Sequence, residues 1–170
     1  MKPLSRIFRR RRDPRESLRP LWHRVVAISR EKRWYAELGV ADTVAGRFDM
    51  IAAALALVLL RMEQEPALVP PSVLLTELFV DDMDAQLREA GVGDPVVGKH
   101  IGKLVSALGG RLGAFREALA DEGNESLAAA VQRNVMLRDG ASPEPAAAAL
   151  REFSRALGAK PAEAILAGEV

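Results

Sequence analysis

The strongest constraint on the fold is an unbroken run of eleven apolar residues, 50–60, between Asp49 and Arg61. An α-helix of this length is only about 16 Å long, roughly half of the hydrocarbon core of a bilayer. The run is therefore too short to span a membrane. Because it has no polar side, we expect it to form the centre of a helix, about 44–64, that other helices bury on nearly all sides.

The rest of the chain also has the periodicity of helices. Ala and Leu are strong helix formers, aromatic residues make up only 5%, and alternating strand patterns are absent. Proline and glycine divide the chain into segments. The sequence therefore predicts an all-α fold, a compact bundle of about six to eight helices. The predicted helices start at Pro20 and continue at about 32–38, 44–64, 71–90, 96–121 (with a possible bend at Gly109 and Gly110), 125–138, 144–157 and 162–166.

Charge divides the chain into a basic beginning and an acidic remainder. Residues 1–33 contain twelve Lys and Arg and three acidic residues, a net charge of +9, so the whole-chain charge of +1 leaves −8 for the rest. We expect a flexible, disordered basic arm at 1–16. A single all-α domain at 17–170 would follow, with its core at 20–140 and smaller C-terminal helices at 143–167.

The arm contains Arg9, Arg10, Arg11 and Arg12, for which three alternatives remain open. They form a solvated tail, they bind RNA phosphates, or they bind anionic lipids. The apolar residues of the arm would insert shallowly into the membrane in the last case. These apolar residues are Leu4, Ile7 and Phe8.

The sequence carries little that supports catalysis. The absence of cysteine excludes disulfides, thiolate metal sites and cysteine nucleophiles, and only His23 and His100 offer imidazole. Phosphate-loop and nucleophile-elbow motifs are absent. We therefore expect no catalytic residues, no cofactor and no metal, and a protein that is not an enzyme.

An acidic cluster on the predicted helix 71–90 has two interpretations. It contains Glu77, Asp81, Asp82 and Asp84. It is either a solvated face, in which Asp84 pairs with Arg88 one turn later, or a patch that binds a partner.

Several short motifs, in their order and spacing, resemble the Cbp3-like ubiquinol–cytochrome c chaperone family in its shorter alphaproteobacterial type. The motifs extend over about residues 21–119. They are YAELGV at 35–40, GRFDM at 46–50, LF at 78–79, DDMD at 81–84, LRE at 87–89, GVGD at 91–94, VGK at 97–99 and GR at 110–111.

The resemblance implies a non-enzymatic assembly chaperone for the cytochrome bc1 complex that binds newly made cytochrome b. It also implies a second assembly protein as a partner. The basic arm suggests a further partner, either a ribosome or an anionic membrane surface. We expect no DNA partner. The expected location is cytoplasmic, peripheral at the inner face of a bacterial plasma membrane rather than mitochondrial. The alternative is a peripheral membrane or lipid-binding helical adaptor, or a ribosome-binding module, without a specific cytochrome client.

Eight residues of these motifs are the predicted partner contacts: Arg47, Asp49, Asp82, Asp84, Gly93, Asp94, Lys99 and Arg111. All but Asp94 also have a structural alternative, which for Asp82 and Asp84 is the solvated face described above. Arg47 and Asp49 would form an exposed ion pair or favour the start of a helix. Gly93, with Gly91, would serve the geometry of a turn, and Lys99 and Arg111 would be surface charges.

Overall fold

The computed structural model describes residues 13–89, 91 and 94–170, without the side chains of Leu87 and of 94–97. Predictions for residues 1–12, which include Arg9 to Arg12, for Gly93 and for the Asp94 side chain therefore lie outside the described residues. The described part forms α1 (Arg19–Ser29), α2 (Lys32–Ala36), α3 (Val44–Glu63), α4 (Val69–Glu89), α5 (Asp94–Ala120), α6 (Glu125–Asn134), α7 (Glu144–Gly158) and α8 (Ala162–Ala167), with 3-10 helices at Pro14–Leu18 and Pro66–Leu68. The prediction of an all-α fold is confirmed.

Helix α3 is the centre of the bundle. Every residue of the apolar run 50–60 is buried, and α1, α4, α5 and α7 pack around the helix. The Thr43 hydroxyl caps its beginning by accepting a hydrogen bond from the Gly46 amide at 3.1 Å. Within the described residues, no helix is both long and apolar enough to cross a membrane.

Four helix boundaries differ from the sequence prediction by two residues or more: the end of α2, the starts of α4 and α5, and the end of α6. Those of α4 and α6 have identifiable reasons. Helix α4 begins at Val69, two residues early, because Pro70 and Pro71 fit the first turn of a helix, where a missing N–H costs nothing. Helix α6 ends at Asn134, four residues early. The residues after it pair with 39–41 instead, through Ala41 N to Met136 O (2.9 Å) and Arg138 N to Gly39 O (2.8 Å), around a single antiparallel bridge.

The described chain starts in a short helical turn on α4. Asp13 caps the 3-10 helix Pro14–Leu18 by accepting from the Arg15 amide at 2.9 Å, and Leu18 is buried. Hydrogen bonds from the Arg15 side chain and amide lower the pKa of Asp13 to about 2. The sequence predicts residues 13–16 as part of the disordered arm, whereas here they form the cap and the first residues of a 3-10 helix.

The first and last helices of the described chain are in contact. Helix α8 packs on α1, and Arg24 Nε donates to the backbone oxygen of Val170 at 2.8 Å. Gly168 ends α8 with a positive φ of 78°. A Cβ at this glycine would lie 2.9 Å from the carbonyl of Pro20, so the contact needs both the conformation and the small size of glycine.

At Gly46 the space for a side chain is even smaller than at Gly168, and this gives a testable prediction. A Cβ at Gly46 would lie 2.0 Å from the carbonyl oxygen of Ala41, whereas a Cβ at Gly109 of α5 would meet nothing within 4 Å. We expect Gly46→Ala to destabilise the protein by about 1–3 kcal/mol, the usual cost of overpacking. Gly109→Ala should instead be neutral or stabilise by up to about 1 kcal/mol. Urea unfolding of both variants checks this, and equal midpoints would contradict the packing at Gly46.

Candidate functional site

Two of the predicted contact residues form an ion pair inside the protein. Arg111 of α5 is only 8% exposed, and its Nη2 donates to the Oδ1 of Asp49 on α3. The guanidinium also lies over the Phe48 ring, 5.7 Å from its centroid, in a cation–π arrangement. The structural alternative in which Arg111 is a surface charge is therefore wrong, and its predicted role as a partner contact stays a prediction.

The ion pair also fixes the segment that follows α6. Arg111 Nε donates to the carbonyl oxygen of Asn134 at 3.1 Å, and the amide of Met136 donates to Asp49 Oδ2 at 3.0 Å. Each group of the pair thus makes a further hydrogen bond to the backbone, at Asn134 or at Met136. The pair fastens this segment to α3 and α5 and sets the position of Met136.

The electrostatics of the pair are dominated by burial. Burial raises the pKa of the Asp49 carboxyl, and the charge of Arg111 and the Met136 amide offset this only in part. Burial likewise lowers the pKa of Arg111, although a guanidinium stays charged at neutral pH. The mutual attraction does not fully compensate the loss of hydration, which is common for buried ion pairs.

Arg47 lies two residues before Asp49 in α3, on the surface. Its Nε donates to Asp42 Oδ1 at 2.7 Å, and both side chains are about half exposed. The guanidinium stacks 5.0 Å from the centroid of the Tyr35 ring, and the Tyr35 hydroxyl donates to the carbonyl of Ser29 at 2.6 Å. Arg47 is thus an exposed cation in a defined orientation.

Two large apolar side chains are exposed at the beginning of α3. Val44 is 89% exposed and Met136 is 46% exposed. The hydroxyl of Thr43, the residue before Val44, lies 3.5 Å from the sulfur of Met136. We call Val44, Met136 and Arg47 the apical surface. Exposed methionine and arginine are enriched in protein interfaces, and methionine adapts to partners of different shape.

The remaining predicted contacts lie on other elements. Asp82 accepts from Gln86 at 3.3 Å and is partly exposed on α4, while Lys99 is exposed on α5. The predicted pair of Asp84 and Arg88 is confirmed, at 2.7 Å. The structure therefore joins Asp49 with Arg111 near Arg47, and places Asp82, Asp84 and Lys99 elsewhere.

Sequence reasoning missed a second buried arginine, Arg151 of α7, which is 6% exposed. Its guanidinium donates to Asn124 Oδ1 at 2.7 Å and to the carbonyl of Ala118 at 3.2 Å, which holds α7 against the end of α5. Its position next to Leu150, on the apolar side of an amphipathic helix, could have identified it. In the part of the chain that the structure describes, no group of His, Asp and Glu side chains could hold a metal ion.

Comparison with known proteins defines the class of this chain. Residues 36–170 match the family described as Ubiquinol-cytochrome C chaperone. The chain belongs to this family, and the resemblance drawn from the motifs is confirmed. No curated protein matches the chain.

A solved structure gives the same result. The crystal structure of the Cbp3 homolog from Brucella abortus is 34% identical to this chain and superposes on it with a TM-score of 0.78. The match covers 91% of this chain and 87% of that one. The ion pair, the apical surface and α4 all lie within the residues that match the family.

Proposed function

We propose that the chain is a non-enzymatic assembly chaperone of the cytochrome bc1 complex and that its client is newly made cytochrome b. The observation that carries the proposal is the family match over residues 36–170. The likeness to the Cbp3 homolog over most of both chains supports it. The expected partners also include a second assembly protein.

The apical surface is our candidate for the client contact. A chaperone for a membrane protein has to cover apolar segments of varied shape before they insert. Val44 and Met136 offer exposed apolar side chains beside the cationic Arg47. Asp49 and Arg111 would act indirectly, because they bind the backbone at Asn134 and at Met136 itself.

The other predicted contacts remain proposals for partner binding. Asp82, Asp84 and Lys99 are at least partly exposed and accessible to a second protein. Gly93 and Asp94 belong to the same proposed set through the GVGD motif at 91–94. The basic arm, with Arg9, Arg10, Arg11 and Arg12, would hold the protein at an anionic surface. The two candidates for that surface are lipid headgroups at the inner face of the plasma membrane and ribosomal RNA.

A deletion strain tests the proposed function. We expect loss of the gene to lower the amounts of cytochrome b and of assembled bc1 complex while the cytochrome b mRNA stays unchanged, because the defect follows translation. Normal accumulation of cytochrome b would remove the proposal. It would favour an adaptor or ribosome-binding module without a cytochrome client.

Complementation of the same strain tests the apical surface. A double variant, Val44→Asp with Met136→Asp, changes exposed side chains and should fold, yet it should fail to restore cytochrome b. Ala148→Asp, at an exposed position of α7, is the matched control and should restore it. If both variants restore cytochrome b equally, the client binds elsewhere.

A further inference from the structure

A groove of about 710 Å³ lies between α1 and α4. Its lining includes the apolar side chains of Trp22 and Val26 from α1 and of Leu78 from α4. The two walls differ in charge. Helix α1 contributes Arg19, His23 and Arg30, and helix α4 contributes Asp81 and Asp82.

The described chain begins at the acidic wall of this groove. The turn Pro14–Leu18 packs on α4, and Arg15 Nη1 donates to the carboxylate of Asp81. Residues 1–12 therefore join the described chain close to the groove, because Arg15, three residues after them, pairs with a residue of its lining. Twelve residues can reach about 40 Å when extended, whereas the eleven residues of α1 are only about 16 Å long. The segment is long enough to follow the whole groove.

Residues 1–12 are complementary in charge to the acidic wall of the groove and in polarity to its apolar floor. The segment has six basic residues and no acidic one, with Leu4, Ile7 and Phe8 among them. Of the acidic residues of α4, Asp81 and Asp82 line the groove. A tethered segment has an effective concentration in the millimolar range, so even weak contacts are sufficient to occupy a neighbouring site.

We propose that residues 1–12 dock in the groove between α1 and α4, with their basic side chains along the acidic wall and their apolar side chains on its floor. The cations of α1 oppose the reverse arrangement. The competition rests on the proposed function, because docking would use the same arginines that we propose to bind an anionic surface. The groove and an anionic lipid surface then compete, and the segment becomes available only where anionic lipid is concentrated.

A disulfide trap tests the docking directly, because the chain has no cysteine of its own. The trap combines Ser5→Cys with Ala85→Cys, which lines the groove and is exposed. The control combines Ser5→Cys with Ala148→Cys on the exposed side of α7. At low ionic strength we expect the first pair to oxidise at least about tenfold faster than the control, and about 1 M salt, where the Debye length is only about 3 Å, should remove the difference.

Charge reversal and added lipid complete the test. Asp82→Lys should slow the trap, whereas Glu152→Lys, an exposed change on α7, should leave its rate unchanged. Vesicles of phosphatidylglycerol should slow it too, and neutral phosphatidylcholine vesicles should not. Equal rates for the two cysteine pairs would overturn the docking. This is also the result expected if a separate partner, and not residues 1–12, occupies the groove. A rate unaffected by anionic vesicles would overturn the competition. Neither result depends on the client proposed above, since the trap involves only the segment and the groove.

Discussion

Replacing Leu57 by Asp should unfold the domain. Leu57 lies in the middle of α3 and is 1% exposed, surrounded by helices on all sides. The change removes a buried leucine side chain, at about 2–5 kcal/mol, and places a carboxyl group where no partner can bind it, at a further few kcal/mol. The sum is comparable to the whole stability of a typical domain, about 5–15 kcal/mol.

The same kind of substitution at the start of α3 provides the control. Val44→Asp replaces an aliphatic side chain that is almost fully exposed, and an acidic residue in the first turn interacts favourably with the helix dipole. Its thermal transition should match that of the wild type. Circular dichroism melts of the two variants check the prediction. A cooperative transition of unchanged midpoint in Leu57→Asp would contradict the placement of α3 at the centre.

Breaking the buried ion pair should have the second largest effect. Arg111→Met keeps much of the side-chain volume but leaves the Asp49 carboxylate buried without its counter-charge. The expected loss is about 3–5 kcal/mol in the free energy of unfolding. Arg116→Met is the control, since Arg116 lies five residues further along α5 and pairs with Glu63 at 2.8 Å on the surface. Loss of an exposed pair costs only about 0–1 kcal/mol.

Two further measurements separate the loss of the pair from a general packing defect. In Arg111→Met the folded-state pKa of Asp49, already raised by burial, should rise further. A raised folded-state pKa gives stability that is complete below the unfolded value and is lost as the pH rises through the folded one. The deficit relative to wild type should therefore be smaller at about pH 4 than at about pH 7. Adding Asp49→Asn should restore at least about 1 kcal/mol. A deficit independent of pH, with no restoration, would contradict the electrostatic explanation.

Most of the helices could be predicted because their signals are local. The apolar run gave the central helix. The short helix before it ends at Ala36, two residues before the predicted end at Leu38, and Gly39, with a φ of 85°, lies in the turn that follows. The early end of α6 depends on backbone pairing between 39–41 and 136–138. This pairing joins segments almost a hundred residues apart, which no local pattern reports. The sequence prediction used helix propensity alone and therefore extended this helix to residue 138.

The pairing of Asp49 with Arg111 could not be predicted either, because it also joins residues that are far apart in the sequence. The two residues are 62 positions apart, and each stands in a polar or glycine-containing stretch typical of a surface. One signal was available, because Asp49 directly precedes the run that is buried on all sides. A carboxylate at that border is close to the core and requires a cation, so Asp49 could be recognised as half of a pair, although its partner could not.

The contact between α1 and α8 determines the order in which the chain can complete its fold. Arg24 and Val170 are 146 positions apart, so α1 acquires this neighbour only after the chain has been synthesised as far as α8. Contacts of such long range slow the final folding step, because a large loop must close before they form. During translation α1 can pack on α3 and α4, but it keeps an uncovered side until α8 leaves the ribosome. Hydrogen exchange in α1 should therefore become fully protected last, together with α8.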